Sequence, residues 1–191
     1  MNQLALFASG NGSNVQRITE YFSDHPLIRV DLVLTNNPKA FVIERARDLK
    51  IPSVIFNRHE FYQSGHVLDL LSERNITHII LAGFLWMVPQ NILNSFHGRI
   101  LNIHPALLPK YGGKGMYGLR VHQEVIASGD TQSGITIHYV NEKYDEGQII
   151  FQERCQVNRE DTPETLAEKI HQLEYRFYPE IIEKELQIKD K

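Results

Sequence analysis

Over the first hundred residues, short apolar runs rich in β-formers alternate with stretches in which apolar positions return every three or four residues. The runs predict strands at about 3–8, 29–35, 53–56, 78–82 and 100–103. The helical spacing falls on Asn14 to Phe22, Phe41 to Leu49, Phe61 to Arg74 and Pro89 to Phe96. Strand and helix in alternation mark βαβ units, whose strands lie mostly parallel in one sheet with helices packed against it. Lys50-Ile51-Pro52 and Arg74-Asn75 punctuate the helix ends.

Beyond Pro105 the texture changes. The segment PALLPKYGGKGMYG places four glycines between Gly112 and Gly118 and predicts a long, mobile loop. A short helix around His122 to Ala127 follows, then GITIHYV and IIFQERCQV, two alternating runs joined by NEKYDEGQ. These read as an antiparallel hairpin on the sheet's edge. Thr162-Pro163-Glu164 opens the last helix, with Thr162 as N-cap and Pro163 at the first helical position, and the charged end of that helix is expected to fray. No repeat or linker divides the chain, so residues 1–191 are expected to form one domain.

Composition narrows the classes. At 191 residues, with 42% hydrophobic and 23% charged, the chain has the make-up of an ordinary globular protein that needs no staple. Acidic residues outnumber basic ones, 23 to 20, which disfavours nucleic acid as a partner, so an anionic ligand must be held locally. The single cysteine, Cys155, offers neither an internal disulfide nor a metal cluster and fits a reducing compartment. MNQLALFASG lacks the basic start and long apolar run of a signal peptide, and no stretch approaches a membrane span. A cytoplasmic protein with no membrane partner is expected.

Three polar stretches carry candidate chemistry. The first strand runs into SGNGSNV, where Gly10, Asn11, Gly12, Ser13 and Asn14 open a helix. Unpaired N–H groups and the helix dipole converge there, an arrangement suited to phosphate. A dinucleotide fingerprint would need a small residue where Val15 stands and an acid where Thr35 and Asn36 lie. From the turn alone, a phosphate site and a plain tight turn are equally good readings. LNIHPALLP places Asn102 and His104 two residues apart, on one face of a strand that ends where open parallel sheets bind ligands. An amide that donates to an oxyanion and an imidazole that carries a proton near neutral pH together suit acyl chemistry, although either alone is more often structural. Asp145, Glu146 and Gly147 form a string that usually marks only a turn; folded back over the strand ends, its carboxylate would orient His104 and favour the imidazolium. His25, His59, His66, His78 and His97 show no metal-like spacing, His122 follows the loop, and His138 is a core or cleft residue, so no metal is expected.

SGNGSN, LAGFLWMV at 81–88, LNIHPALLPKYGG at 101–113, GITIHYVNEKYDEGQII at 134–150 and KIHQLEYRFYP at 169–179 together resemble the folate-dependent formyltransferase family across nearly the whole chain. The resemblance implies an α/β fold: a Rossmann-like, mostly parallel sheet with helices on both faces and an antiparallel edge hairpin. It also implies transfer of the formyl group of 10-formyltetrahydrofolate, a co-substrate, to the amino group of glycinamide ribonucleotide in purine biosynthesis. Asn102, His104 and Asp145 match the family's catalytic trio. By the same resemblance Gly12, Ser13, Asn14, His171 and Glu174 hold the ribonucleotide. The pterin is expected against Leu85, Trp86, Met87 and Val88, and also Asn102, with Asn141, Glu142, Lys143, Tyr144 and Asp145 closing over it.

Some positions depart from the family pattern. Trp86 stands where members often carry a basic residue, and an arginine of relatives has no clear counterpart, Gln63 and Ser64 falling near its place and Arg58 upstream. The glycine-rich loop is several residues longer than in some relatives. With no paired serine or cysteine nucleophile, the implied chemistry is direct attack of the amine on the formyl carbon. A formyl-tRNA-forming enzyme would want a basic C-terminal domain, and a formyl-folate hydrolase an extra domain before the first strand. A sugar-nucleotide formyltransferase is the nearest rival, and a silent nucleotide or folate binder would have no need of the trio. The expected partners are small molecules, with the chain a monomer or weak homodimer.

Overall fold

A computed structural model describes residues 1–189. Its strands are β1 (Asn2–Phe7), β2 (Ile28–Thr35), β3 (Ser53–Ile55), β4 (His78–Leu81), β5 (Ile100–His104), β6 (Gln132–Tyr139) and β7 (Ile149–Gln156). Its helices are α1 (Ser13–Tyr21), α2 (Val42–Asp48), α3 (Arg58–Tyr62), α4 (His66–Glu73), α5 (Gln90–Ser95), α6 (Leu119–Ser128) and α7 (Pro163–Lys189). The seven strands pair in the order β3-β2-β1-β4-β5-β6-β7. The first five of that order run parallel, and β6 is antiparallel to both β5 and β7.

Strands of a sheet covered on both faces must be apolar on both, which is why LALF and HIIL read as unbroken runs. Leu4, Leu6, Ile80, Leu101 and Ile103 pack on one side with Val15, Ile18, Ile170 and Ile182 from α1 and α7. Ala5, Phe7, Ile79, Leu81 and Ile100 pack on the other with Phe61, Leu71, Ile92 and Phe96. Tyr178, fully buried, sets its hydroxyl between the carbonyl oxygens of Leu81 and Leu101, at 2.9 and 3.2 Å, and so ties α7 to β4 and β5.

The helix expected over 61–74 is two. Asn57 accepts from Glu60 N–H while Glu60 accepts from Asn57 N–H, a reciprocal cap that starts α3 early, and Gly65 in the left-handed region separates α3 from α4. The helix around His122 to Ala127 extends to Leu119–Ser128. The hairpin is not closed by a tight turn, because residues 140–148 form a longer connection. Pro163 begins α7, with Thr165 N–H donating to Thr162 Oγ1 at 3.3 Å. The end of the charged tail, at residues 190–191, lies outside the described residues. No helix among the described residues is long and apolar enough to cross a membrane.

In this strand order the chain leaves β1 toward β2 on one side and reaches β4 on the other. The sheet therefore splays its connections apart at the carboxyl ends of β1, β4 and β5, where open α/β sheets form their crevice.

Candidate active site

The cleft above those strand ends has a volume of about 700 Å³. At one end β1 turns through Gly10–Gly12 into α1. Gly12 has φ +77, and a Cβ there would lie 2.4 Å from Val42 Cγ2, so only glycine allows α2 to press against the turn. Gly12, at the N-cap, has no side chain to cap the helix, and the first N–H groups of α1 have no preceding turn to bond. Arg45 of α2 holds the turn from outside, Nε donating to the Asn11 carbonyl at 2.9 Å and Nη2 to Asn11 Oδ1 at 2.7 Å.

Asn14 donates from Nδ2 to Glu174 Oε2 at 2.9 Å, while its buried Oδ1 has no partner among the described residues. Burial pushes the Glu174 carboxyl up to about 7, with the Asn14 bond opposing. Glu174 therefore stands poised between acid and carboxylate at neutral pH.

At the other end, Asn102 and His104 share a face of β5, with Leu101 and Ile103 on the opposite face in the core. The antiparallel register sets Asn102 across from His138 and His104 across from Thr136. His138 Nδ1 lies 2.8 Å from the Tyr139 carbonyl oxygen and must carry the proton, which leaves Nε2 to accept from the Asn102 amide at 3.1 Å. His104 donates from Nε2 to the Tyr111 carbonyl at 2.7 Å, and its Nδ1 lies 3.5 Å from Asp145 Oδ2. Asp145 Oδ1 lies 3.7 Å from His138 Nε2, and Gly113 N–H donates to Asp145 Oδ2 at 2.9 Å.

The DEG string thus folds back over the strand ends. Gly147 is what permits it, since a Cβ there would lie 1.6 Å from the Tyr139 carbonyl oxygen. Burial alone would raise the Asp145 carboxyl, but the facing His138 and His104 rings, when protonated, together with the Gly113 N–H outweigh it and hold the group below its ordinary value. Burial is the largest influence on His104 too, and it wins. Although Asp145 and the Tyr111 carbonyl favour the charged ring, His104 sits below the ordinary imidazole value, and His138 adds to the lowering. The carboxylate contact expected from the sequence is present and favours the imidazolium, but burial of the ring outweighs it.

Asn102, His104, Asp145, Gly12, Ser13, Asn14, His171 and Glu174 all line this one cleft, together with Leu85 and Tyr144. Trp86, Met87, Val88, Asn141, Glu142 and Lys143 are not among its lining residues. Trp86 packs against Phe56, Phe61, Tyr62 and Phe84, and the Arg58 guanidinium lies 5.0 Å from the centre of its ring. Val88 is buried in the same core, and the Met87 carbonyl accepts from Tyr62 Oη at 2.9 Å. Asn141 accepts from Lys143 N–H at 2.9 Å and so shapes the loop that carries Tyr144 and Asp145.

Two histidines that the sequence left open belong to the site. His138 links Asn102 to Asp145. His122 of α6 lines the cleft with a buried Nδ1 that has no partner among the described residues, and burial, then His171 and His104, push its ring down to about 4. No group of three or more His, Cys, Asp or Glu among the described residues could hold a metal ion. Cys155 is half-buried on β7, outside the lining of the cleft, and burial raises its thiol.

Fold and site together define an α/β protein whose cleft joins an anion-suited helix start to a polar trio fit for chemistry at a carbonyl. The family model described as formyl transferase matches residues 2–182, and the chain belongs to that family. It is 41% identical over 186 residues to a chloroplastic phosphoribosylglycinamide formyltransferase of Arabidopsis thaliana, covering 94% of this chain and 64% of that protein. The chain thus spans less than two thirds of that plant relative. It is 36% identical to the phosphoribosylglycinamide formyltransferase of Bacillus subtilis (strain 168), covering 95% of this chain and 93% of that one. The crystal structure of the enzyme of the same name from Streptococcus pneumoniae TIGR4 superposes with a TM-score of 0.85 at 37% identity, covering 96% and 98% of the two chains.

Proposed function

We propose that this protein transfers the formyl group of 10-formyltetrahydrofolate to the amino group of glycinamide ribonucleotide, in purine biosynthesis. The observation that carries the reading is one cleft with a helix start suited to phosphate at one end and Asn102, His104 and Asp145 at the other. In this reading the substrate's phosphate lies on the first N–H groups of α1 at Gly12, Ser13 and Asn14. His171 and Glu174 bond the ribose. Its amine then points toward β5.

The folate enters past Leu85 and Tyr144. Trp86, Met87 and Val88 support that wall from behind, and Asn141, Glu142 and Lys143 shape the loop above it. The amine lone pair attacks the formyl carbon, forming the new C–N bond as the carbonyl becomes an oxyanion. One N–H of Asn102 is spent on His138, and the other donates to that oxygen. As the bond from carbon to N10 breaks, the proton shed by the amine passes to N10 through His104 or an ordered water. The developing negative charge beside His104 offsets the burial that disfavours its charged form, and Asp145 holds the ring in line. No step uses a covalent enzyme intermediate or a metal. The chain works as a single cytoplasmic domain, monomeric or weakly dimeric.

The test is to mix purified protein with 10-formyltetrahydrofolate and glycinamide ribonucleotide and follow release of tetrahydrofolate. Release should require the amine and match formyl-amide formed one for one. Release without amine would instead mark a hydrolase, and transfer only to an amino sugar nucleotide would replace the acceptor.

A further inference from the structure

His104 is held by a backbone carbonyl, and what fixes that carbonyl lies outside the cleft. Tyr111 has φ +57, in the left-handed region that residues with a Cβ seldom occupy, so its backbone must be held there by other contacts. The side chain supplies them. Its hydroxyl donates to Asp130 Oδ2 at 2.8 Å and meets Ser128 Oγ at 2.6 Å. Asp130 is braced in turn by Lys110 Nζ at 2.9 and 3.2 Å and by its own N–H on Ser128 Oγ at 3.3 Å. Ser128 ends α6, whose first turns carry Leu119 and His122 into the cleft. Two residues beyond Tyr111, Gly113 N–H bonds Asp145. Residues 111–113 therefore bracket the catalytic pair, a carbonyl on the imidazole and an N–H on the carboxylate.

We infer that Tyr111, pinned through its phenol to Asp130 and Ser128, is a positioning residue that sets the orientation of His104 through its own carbonyl, and that the end of α6 is thereby part of the reaction machinery. The phenol fixes the backbone, the backbone fixes the acceptor for His104 Nε2–H, and that bond directs Nδ1 at Asp145. The other groups facing His104 are Asp145 from the loop, His138 from β6 and His122 from α6.

The inference rests on the formyl-transfer reading for its kinetic readout only. The experiment compares Tyr111→Phe, Asp130→Ala and the double variant with the parent protein, by steady-state kinetics and by NMR titration of the His104 ring in the ligand-free protein. Each single variant should lower kcat by roughly tenfold, within the hundredfold that a displacement of about 1 Å can produce, with KM changed less than about twofold. The double variant should be no slower than the worse single one, because both break one tether. In each variant the ring should titrate at lower pH, since a carbonyl that steadied its charged form has moved. Asp130→Ala removes the acceptor without touching the aromatic ring and decides the matter if Tyr111→Phe fails to fold. An unchanged His104 titration with kcat within twofold of the parent, or a loss confined to KM, overturns the inference. A parent protein that moves no formyl group defeats the proposed function instead, and the titration still judges the tether.

Discussion

Asp145 Oδ2 lies 3.5 Å from His104 Nδ1, while the other nitrogen of the ring is already committed to a carbonyl. Only a doubly protonated ring satisfies both neighbours, yet burial opposes that state. The contest makes the ring's protonation sensitive to the carboxylate. Asp145→Asn removes a charge that raises the His104 pKa, so the pKa should fall further. If charged His104 serves the reaction, activity is lost as pH rises through that value, and in the variant the loss should set in at lower pH. A pH-rate profile for kcat checks this, and an unmoved limb would deny the pairing.

Glu174 carries an opposite linkage to stability. Its folded value of about 7 lies above the ordinary 4.5, so the folded state binds more protons between those values and stability declines as pH rises across that window. Glu174→Gln should remove the decline, worth on the order of 3 kcal/mol. Denaturant unfolding of the ligand-free protein at pH 4.5 and 8 measures it, and identical slopes with pH in parent and variant would refute the assignment. Asn102 and His104 can be paired from residue type and spacing, whereas Asp145 joins them only through the family resemblance. His138 could not be singled out, because its part depends on the cross-strand register that sets it opposite Asn102. Nor could burial's hold on His104 be seen, since desolvation depends on everything packed around the ring.

At the scale of elements, the alternation of apolar runs and helical spacing marks each of the five parallel strands to within a residue: β1 and β4, buried on both faces, leave nearly continuous apolar runs, whereas the half-exposed edge strand β3 is legible from its β-branched Val54-Ile55. The errors were local. Asn57 and Glu60 formed a readable cap signal that would have started α3 early, and Gly65 a readable break. Helix α7 continues past Pro179, where a missing N–H would ordinarily stop a helix, because Ile181, Ile182 and Leu186 remain buried beyond it. The connection 140–148 was the ambiguous element, since a DEG string fits a plain turn as well as a loop over the site. What decides it is the crossing of Gly147 at the Tyr139 carbonyl. Gly147→Ala should push this loop away and carry Asp145 with it, lowering kcat by about tenfold or more. Glu146→Ala, at an exposed position, should stay within about twofold of the parent. Equal rates for the two variants would show that the crossing does not govern the carboxylate.

For the molecule as a whole, the order β3-β2-β1-β4-β5-β6-β7 assembles the cleft from segments far apart in sequence. The turn after β1, the tip of β5, the loop before β7 and the face of α7 meet only because β1, β4 and β5 are neighbours and α7 packs across them. Spacing along the chain could place each motif on its element, and the family resemblance could say that they belong together. Distances of 2.7 to 3.7 Å among the Asn102, His138, Asp145, His104 and Tyr111 groups had to come from the fold. These groups form one connected unit, and the proposed chemistry depends on Asn102, at one end of it, acting as the oxyanion donor. The most direct measurement is the single-turnover rate of formyl transfer to glycinamide ribonucleotide by Asn102→Ala beside the parent, both saturated with donor and acceptor. Asn102→Ala should lose about a hundred- to a thousandfold in the chemical step with the protein still folded. A rate within a few fold of the parent would contradict the donor role.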